Sequence, residues 1–530
     1  MTNTENANRQ IARAAGTVMF AIILGQIAGL IRGVLVARAF GASPELDAFF
    51  AANRVSETLF LLVAGGALGS AFIPTFTGLL AKEDRTSAWR LAASIANAVT
   101  LTLSLLAALT ALFAPQVVRF ALAPGLAADP KLFALTISLL RIQLISAVLF
   151  GLGGLIVGIL NAHQIFLIPA LTPALYQLGI IFGAVFLAPS IGVYGLAWGV
   201  VAGAALYLFV QLPQLARLIS SFQFPIPTSH FLDFHDANFR QVLLLMGPRL
   251  LGVAVVQLNF WVNTWLASQM AAGSVTGLYY GFSLMLMAQA AIAQSVAIAA
   301  MPTFSAQHAL GKQDEMRSSL ASSLRGVMLL ALPASVGLII LREPIISLLY
   351  RRGEFDERSV QIVAWALLWY AAGLVGHSIM EVLTRAFYAR HDTKTPVIIG
   401  TAAMLLNVVF SVSFSRLFES IGWMPHGGLA LANSLATALE AAALFMMMRK
   451  RLNGIEGGYI LRGAIPFAAA GLVMGLSLWG WLAFGKLLSV WILVPLGVAI
   501  GGAVYFGILF ALRLPELSYI ANGVMRRLKK

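Results

Sequence analysis

Phe72-Ile73-Pro74-Thr75-Phe76 returns 228 residues later as Ala300-Met301-Pro302-Thr303-Phe304. Around this pair, Phe49-Phe50 matches Tyr279-Tyr280 at an offset of 230, and Pro115 matches Pro344 at 229. Ala162 and Pro169 match Ala389 and Pro396 at 227, and Gly195-Leu196-Ala197 matches Gly428-Leu429-Ala430 at 233. So steady an offset is hard to obtain by chance, even in a chain rich in Ala and Leu. The sequence reads as two copies of one unit.

Hydropathy says what each copy contains. The 530 residues are 59% hydrophobic and 11% charged, with a mean hydropathy of +0.87. Soluble domains sit near 45–50% apolar and about 25% charged, so this is an integral membrane protein without a large soluble domain. About 20 apolar residues cross a bilayer as a helix. By that measure about fourteen spans are expected, near 14–38, 46–72, 88–113, 133–160, 165–187, 190–216, 241–268, 275–303, 318–341, 360–386, 395–416, 427–448, 460–484 and 488–512. With six spans in each copy, both copies insert the same way up, as a parallel repeat about an axis along the membrane normal. The expected fold is an all-α polytopic membrane protein. Two parallel six-helix repeats form two lobes around a central cavity, and two C-terminal helices follow. The lobes are assigned to 1–219 and 241–452, a cytoplasmic linker to 220–240, and two further spans with a basic tail to 453–530. That is the layout of an alternating-access transporter; a non-transporting scaffold is the other reading.

The net charge is +14. In a soluble protein this would suggest nucleic acid; here Lys and Arg gather on cytoplasmic loops instead. With the N-terminus inside, about 21 of them fall on cytoplasmic segments and about 9 outside. Both termini are therefore expected in the cytoplasm. The polar start MTNTENANRQIARAAG has no short apolar core with a small-residue cleavage site, so the first span is expected to direct insertion itself. There is no cysteine, which excludes disulfides and thiolate chemistry. The seven His are scattered, no GxxxxGK[ST] loop occurs, and no Ser/His/Asp set stands out. Neither an enzyme nor a bound metal or cofactor is expected.

Gly25–Pro74 contains two long apolar segments carrying Arg32, Asp47, Arg54 and Glu57. A charge near the centre of a membrane helix costs roughly 2.5–3.5 kcal/mol on insertion scales, so such residues persist where they face a wet cavity, pair, or bind something. Arg32 lies mid-span, too far from either end for an easy snorkel. Asp47 stands at a helix start, where it could instead act as an N-cap. Arg54 and Glu57 are three apart and can pair on one helix face. Arg249 follows Gly247-Pro248 and either adds charge to the cavity or reaches the cytoplasmic end. Arg141 could anchor helices together. Glu381 and Glu440 are single acids suited to proton or cation coupling or to hydrogen-bonded packing. Gln257, Asn259, Asn263 and Asn407 either hydrate the cavity or join helices.

Several strings resemble the bacterial lipid II flippase (MurJ/MviN) family, within the multidrug, oligosaccharidyl-lipid and polysaccharide exporter superfamily. Arg385-Ala386-Phe387-Tyr388-Ala389-Arg390-His391-Asp392-Thr393-Lys394-Thr395-Pro396-Val397 is similar to that family's loop between spans ten and eleven. Leu348-Leu349-Tyr350-Arg351-Arg352-Gly353-Glu354-Phe355-Asp356 resembles its LLFxRGxFD pattern. Ala37-Arg38-Ala39-Phe40-Gly41-Ala42 with Asp47-Ala48-Phe49-Phe50 resembles its first-loop signature, and Ala123-Pro124-Gly125-Leu126 and Leu140-Arg141-Ile142 also fit. The resemblance covers roughly residues 10–450.

It implies a flippase that carries lipid II, a polyprenyl-pyrophosphate-linked glycan, across the bacterial inner membrane by alternating access. Membrane lipids surround it, and a cation or the membrane potential drives it. Arginine offers a permanent, planar fork for pyrophosphate oxygens. Arg385, Arg390, Asp392 and Lys394 become a cytoplasmic gate loop, with topology and helix docking as the other reading.

Three family cavity arginines, in the patterns RxxGxxRD, LRRxFAEGAFSxAFxP and YYADR, fall here on Gln26, Phe60 and Ser283. These departures keep two alternatives open: an exporter of another undecaprenyl-pyrophosphate-linked oligosaccharide, and a cation-coupled small-molecule antiporter.

Overall fold

The computed structural model describes residues 3–63, 66–220, 233 and 236–514; the side chains of 3–20, 22, 63, 66–70, 248, 249, 251 and 486 lie outside that description. The described residues are helical, with no strand among them. They separate into two compact units, Met1–Val275 with Arg352–Phe355, and Thr276–Arg351 with Asp356–Lys530.

The first unit contains α1 (Asn3–Phe40), α2 (Pro44–Val63), α3 (Gly66–Ala81), α4 (Arg85–Leu112), α5 (Pro130–Ala162), α6 (Leu167–Phe182), α7 (Tyr194–Phe209), α8 (Leu212–Ser220) and α9 (Ala237–Ser268). Local chemistry sets the breaks. Gly41, at φ 59, donates its N–H to Ala37 O at 2.8 Å, the left-handed stop that favours glycine. Ser43 then caps α2 by accepting the Leu46 N–H at 3.2 Å, and Pro44 takes the first helical position, where no N–H is needed. Asp84 caps α4 through the Ser87 N–H at 3.0 Å. Asp129 caps α5 through Lys131 N–H at 2.7 Å.

Within this unit α5 packs against α2, α4 and α7, and α1 against α6. Phe72, Phe76 and Leu91 are fully enclosed in a core shared by α3, α4, α5 and α9. The α6–α7 contact is backbone to backbone: a Cβ added to Gly179 would meet Gly203 Cα at 2.2 Å, and one added to Gly183 would meet Gly195 O at 2.3 Å. Small residues spaced by four allow this approach where lipid supplies no hydrophobic drive. Gly353, at φ 61, seats the loop Arg352–Phe355 on the end of α1, where Glu354 N–H reaches Arg38 O at 3.0 Å.

The second unit contains α10 (Ser274–Gln289), α11 (Ser295–Ala309), α12 (Gln313–Tyr350), α13 (Glu357–Ala372), α14 (Leu374–Ala389), α15 (Lys394–Ser420), α16 (His426–Arg451), α17 (Gly457–Phe484) and α18 (Val490–Ala511). A single π-helical turn, Ala290–Gln294, joins α10 to α11. Phe304, Phe387, Leu444 and Met448 close a core between α11, α12, α14 and α16. The C-terminal pair α17–α18 packs on α12 through Phe467, Leu478, Tyr505 and Leu509.

Eleven helices among the described residues are long and apolar enough to cross a membrane, or up to thirteen if two bent pairs are each one span. The bends are 43° between Ala237–Gly247 and Gly252–Ser268, and 47° between Glu357–Ala372 and Leu374–Ala389. Of the fourteen expected spans, the one near 46–72 is not among these: Asp47, Arg54 and Glu57 fall within every 18-residue stretch of α2 and make it less apolar than the others. Two of the residue pairs matched in the sequence repeat have comparable local settings. Pro74 and Pro302 lie inside α3 and α11; Gly195 and Gly428 open α7 and α16 against the helix before.

Candidate functional site

The charged face of α2 follows from its register. Arg54, Glu57 and Thr58 stand at i, i+3 and i+4, so they share one side of the helix, and that side meets α9. Arg54 Nη1 pairs with Glu57 Oε2 at 2.9 Å, and its guanidinium lies over the Phe260 ring, 4.8 Å from the centroid. The Arg54 Nε is enclosed and has no hydrogen-bond acceptor among the described residues. One turn on, Thr58 Oγ1 donates to Arg54 O at 2.7 Å, receives the Trp261 indole N–H at 2.8 Å, and stands 3.4 Å from Gln257 Oε1. Asn259, buried, accepts from Asn263 Nδ2 at 3.4 Å. A polar seam therefore runs between two helices long enough to span a bilayer. Gln257, Asn259 and Asn263 were expected either to hydrate a cavity or to join helices; Gln257 meets Thr58 in this seam, whereas Asn259 and Asn263 bond to each other along α9. Thr58 and Trp261 were missed, although Thr58 is one turn from Arg54 and could have been placed by helical spacing alone.

Asp47 is elsewhere on α2. It is 3% exposed and does not cap the helix, because Ser43 already does. Its Oδ2 accepts the Gly273 N–H at 2.7 Å, holding the turn between α9 and α10 at a glycine whose φ is 91. Arg32 is half-buried midway along Ile23–Phe40, on a helix that packs against α6 rather than on the α2–α9 seam. Arg249 lies in α9 with its side chain outside the described residues. Arg141 Nε donates to Ala111 O at 3.1 Å, tying α5 to α4. Phe60, at a family arginine position, joins an aromatic group: its ring is 5.1 Å from Phe150, which is 4.9 Å from Tyr176 and 5.3 Å from Tyr207. Ser283, at another, bonds back to Tyr279 O of its own helix at 2.7 Å.

In the second unit, the acids and the gate-loop residues fall into two groups. Glu381 Oε1 pairs with Arg385 Nη2 at 3.0 Å, one turn along α14. Tyr388 lies within electrostatic reach of Arg385, Glu381 and Glu440. Glu440, on α16, has no hydrogen bond or ion pair among the described residues, and the missing side chain at Gly400 leaves it room: a Cβ there would stand 3.1 Å from Oε1. Beyond the end of α14, Asp392 caps α15 by accepting the Thr395 N–H at 3.0 Å and hydroxyl at 2.7 Å, and it meets Arg451 Nη2 at 3.3 Å. Partial burial pushes the Asp392 carboxyl up, but the Thr395 bonds and Arg451 outweigh it and hold it below the ordinary carboxylate value. Lys394 is exposed at the start of α15. No group of three or more His, Cys, Asp or Glu among the described residues could hold a metal ion.

Comparison with known proteins places these features in a family. The family model described as lipid II flippase MurJ matches residues 36–499. The lipid II flippase MurJ of Burkholderia cenocepacia is 33% identical over 471 residues, covering 88% of this chain and 89% of that protein. A solved structure of a lipid II flippase MurJ in an inward closed conformation superposes with a TM-score of 0.77 at 25% identity, covering 93% of this chain and 97% of that one. An inward-facing multidrug-resistance MATE transporter of the MOP superfamily matches with a TM-score of 0.66 at 17% identity, covering 81% of this chain and 94% of that one; it shares the fold.

Proposed function

The chain belongs to the lipid II flippase MurJ family, and on that premise we propose that it carries lipid II from the inner to the outer leaflet of the bacterial inner membrane. The family match over residues 36–499 is the observation that carries this reading. The chain works by alternating access of two six-span lobes, 1–219 and 241–452, followed by two further spans, with both termini in the cytoplasm; the linker expected at 220–240 lies largely outside the described residues. Pyrophosphate binding is assigned to Arg32, Arg54 and Arg249.

The α2–α9 seam supports the part given to Arg54. A guanidinium with an enclosed, unpaired Nε and a half-exposed carboxylate partner can exchange that partner for a stronger, doubly charged oxyanion. Coupling to a cation is assigned to Glu440 rather than Glu381. Glu381 is neutralised by Arg385, whereas Glu440 has space beside it and no partner among the described residues. The inward-negative membrane potential can help reset a cavity that carries positive charge, at about 2.3 kcal/mol per charge per 100 mV.

A second reading, export of another undecaprenyl-pyrophosphate-linked glycan, is favoured by Phe60 and Ser283. Each stands at a family arginine position, and each is engaged in local packing or its own helix. Complementation separates the two. Expression in cells depleted of their essential lipid II flippase should restore growth, and Arg32→Ala and Arg54→Ala should abolish rescue at equal protein levels. Failure to rescue together with restored export of a different lipid-linked glycan would overturn the first reading.

A further inference from the structure

Arg390 and Arg451 come together at the ends of α14 and α16, with His308 at the end of α11. Cations at helix C-termini are ordinarily explained by the helix dipole, and the exposed Arg449 and Lys450 of the same turn need nothing more. Arg390 does. Its Nη1 is enclosed and has no acceptor among the described residues. Burial holds Arg390 below the ordinary arginine value, and the nearby Arg451 pushes it the same way. Asp392 is already committed to the Thr395 N–H and hydroxyl and to Arg451. Its charge also favours the Arg390 cation, so one carboxylate is shared between two guanidinium groups.

His391, exposed and at φ 59, stands ring to ring with His308 at 6.4 Å, on the Arg390 side of the group. Two guanidinium groups and two imidazoles, drawn from three helix ends, thus gather at one place, with Asp392 bonded to Arg451 and His308 within electrostatic reach of Arg390 and His391. Leaving a buried donor unpaired is unfavourable. A ligand that relieves it and also balances the two guanidinium charges is small, multiply charged and rich in acceptors. A tetrahedral phosphate fits that need better than a carboxylate, because it offers oxygens to both forks at once.

We propose that Arg390 and Arg451, flanked by His308 and His391, form a phosphate-binding site at the end of the second unit, separate from the α2–α9 seam and from the Glu381–Arg385 pair. The anion is either a free phosphate or pyrophosphate group or the headgroup of an anionic lipid. The site does not depend on which glycan the chain transports.

Two arms of one experiment distinguish the sources, using the full chain. In detergent, inorganic pyrophosphate is titrated calorimetrically. In nanodiscs, retention of phosphatidylglycerol over phosphatidylcholine is read by native mass spectrometry. Arg390→Gln with Arg451→Gln should weaken whichever binding is present at least tenfold. Asp392→Asn keeps an oxygen for the Thr395 N–H but removes the competing charge, and should tighten the same binding several-fold. Pyrophosphate binding lost in the double variant supports a site open to free phosphate. Headgroup retention lost without pyrophosphate binding supports the lipid source. Absence of both bindings in the wild type, or binding unaltered by all three substitutions, overturns the proposal. Because neither arm requires transport, its failure is distinct from failure of the complementation test.

Discussion

Asp47→Ala tests whether the buried acid of α2 is a structural clamp. The wild-type carboxyl is 3% exposed and accepts the Gly273 N–H at 2.7 Å. Alanine leaves that buried donor without this acceptor, which costs about 1–3 kcal/mol. A tenfold change in an equilibrium corresponds to about 1.4 kcal/mol, so local opening of the turn between α9 and α10 should rise roughly five- to hundred-fold. Hydrogen–deuterium exchange on peptides covering 265–276 of the full chain reads this directly. Asp47→Asn keeps an oxygen at the same place and should raise exchange several-fold less. Gly273→Ala keeps the acceptor but forces a side chain onto a backbone at φ 91, and should loosen the same peptide by strain of about 1–3 kcal/mol. Two results would refute the reasoning: unchanged exchange in Asp47→Ala, or Asp47→Asn as severe as alanine. The second outcome would mean that charge, not acceptor geometry, is what matters at this position. If the clamp is real, transport lost in Asp47→Ala reflects a displaced turn rather than a lost substrate contact.

Gly179→Ala places a Cβ 2.2 Å from the Gly203 backbone and should destabilise the α6–α7 contact by about 1–3 kcal/mol, read as a lower thermal midpoint. Gly502→Ala, with nothing within 4 Å, should be neutral or stabilising by up to about 1 kcal/mol. Gly463→Val meets the Arg325 guanidinium, whose Nε lies 2.6 Å from a Cβ built there. Arg325 bonds Tyr459 O at 2.9 Å and stacks on the Tyr459 ring at 4.0 Å, so displacing it should speed proteolytic release of α17–α18 by loss of about 2 kcal/mol of desolvated stacking. Asp356 accepts the Ser359 N–H and hydroxyl, both at 2.8 Å, and these bonds hold its carboxyl below the ordinary value. Its contribution is therefore present above the unfolded carboxylate value of about 3.9 and lost as pH falls through the lower folded value. Exchange at the start of α13 should rise below about pH 4, and Asp356→Asn should remove that dependence. Glu440→Gln should uncouple transport from the driving gradient in a vesicle flux assay while Glu381→Gln does not; equal effects would reject the assignment to Glu440.

The spans were legible because hydropathy is local: a run of apolar residues predicts a helix wherever the chain later puts it. The one span that resisted counting, α2, did so because its charges dilute the same signal. The Arg54–Glu57 pair was also legible from its helical spacing; the Glu381–Arg385 pair has an equally ordinary spacing of four, yet Glu381 reads in the sequence as a single acid. What could not be read is whatever depends on a partner far along the chain. Asp47 finds Gly273 across 226 residues, and no periodicity predicts that. Arg325 finds the Tyr459 carbonyl and ring on α17; in the sequence it is one more arginine near a span.

The gate loop shows the same limit within a single string. Arg385 and Arg390 are five residues apart, so on a helix their side chains diverge by well over a right angle, and α14 stops between them at Ala389. Arg385 stays on the helix with Glu381, while Arg390 turns to Arg451 and the histidines. A charged residue in this protein is thus explained by where its nearest opposite charge or acceptor lies. On that criterion Arg54 and Arg385 have ion-pair partners on their own helices, Asp47 and Arg325 have partners brought by the fold, and the side chains of Glu440 and Arg390 have no hydrogen bond or ion pair among the described residues. Those last two are the positions where a transported ion or a bound phosphate has something to gain by arriving.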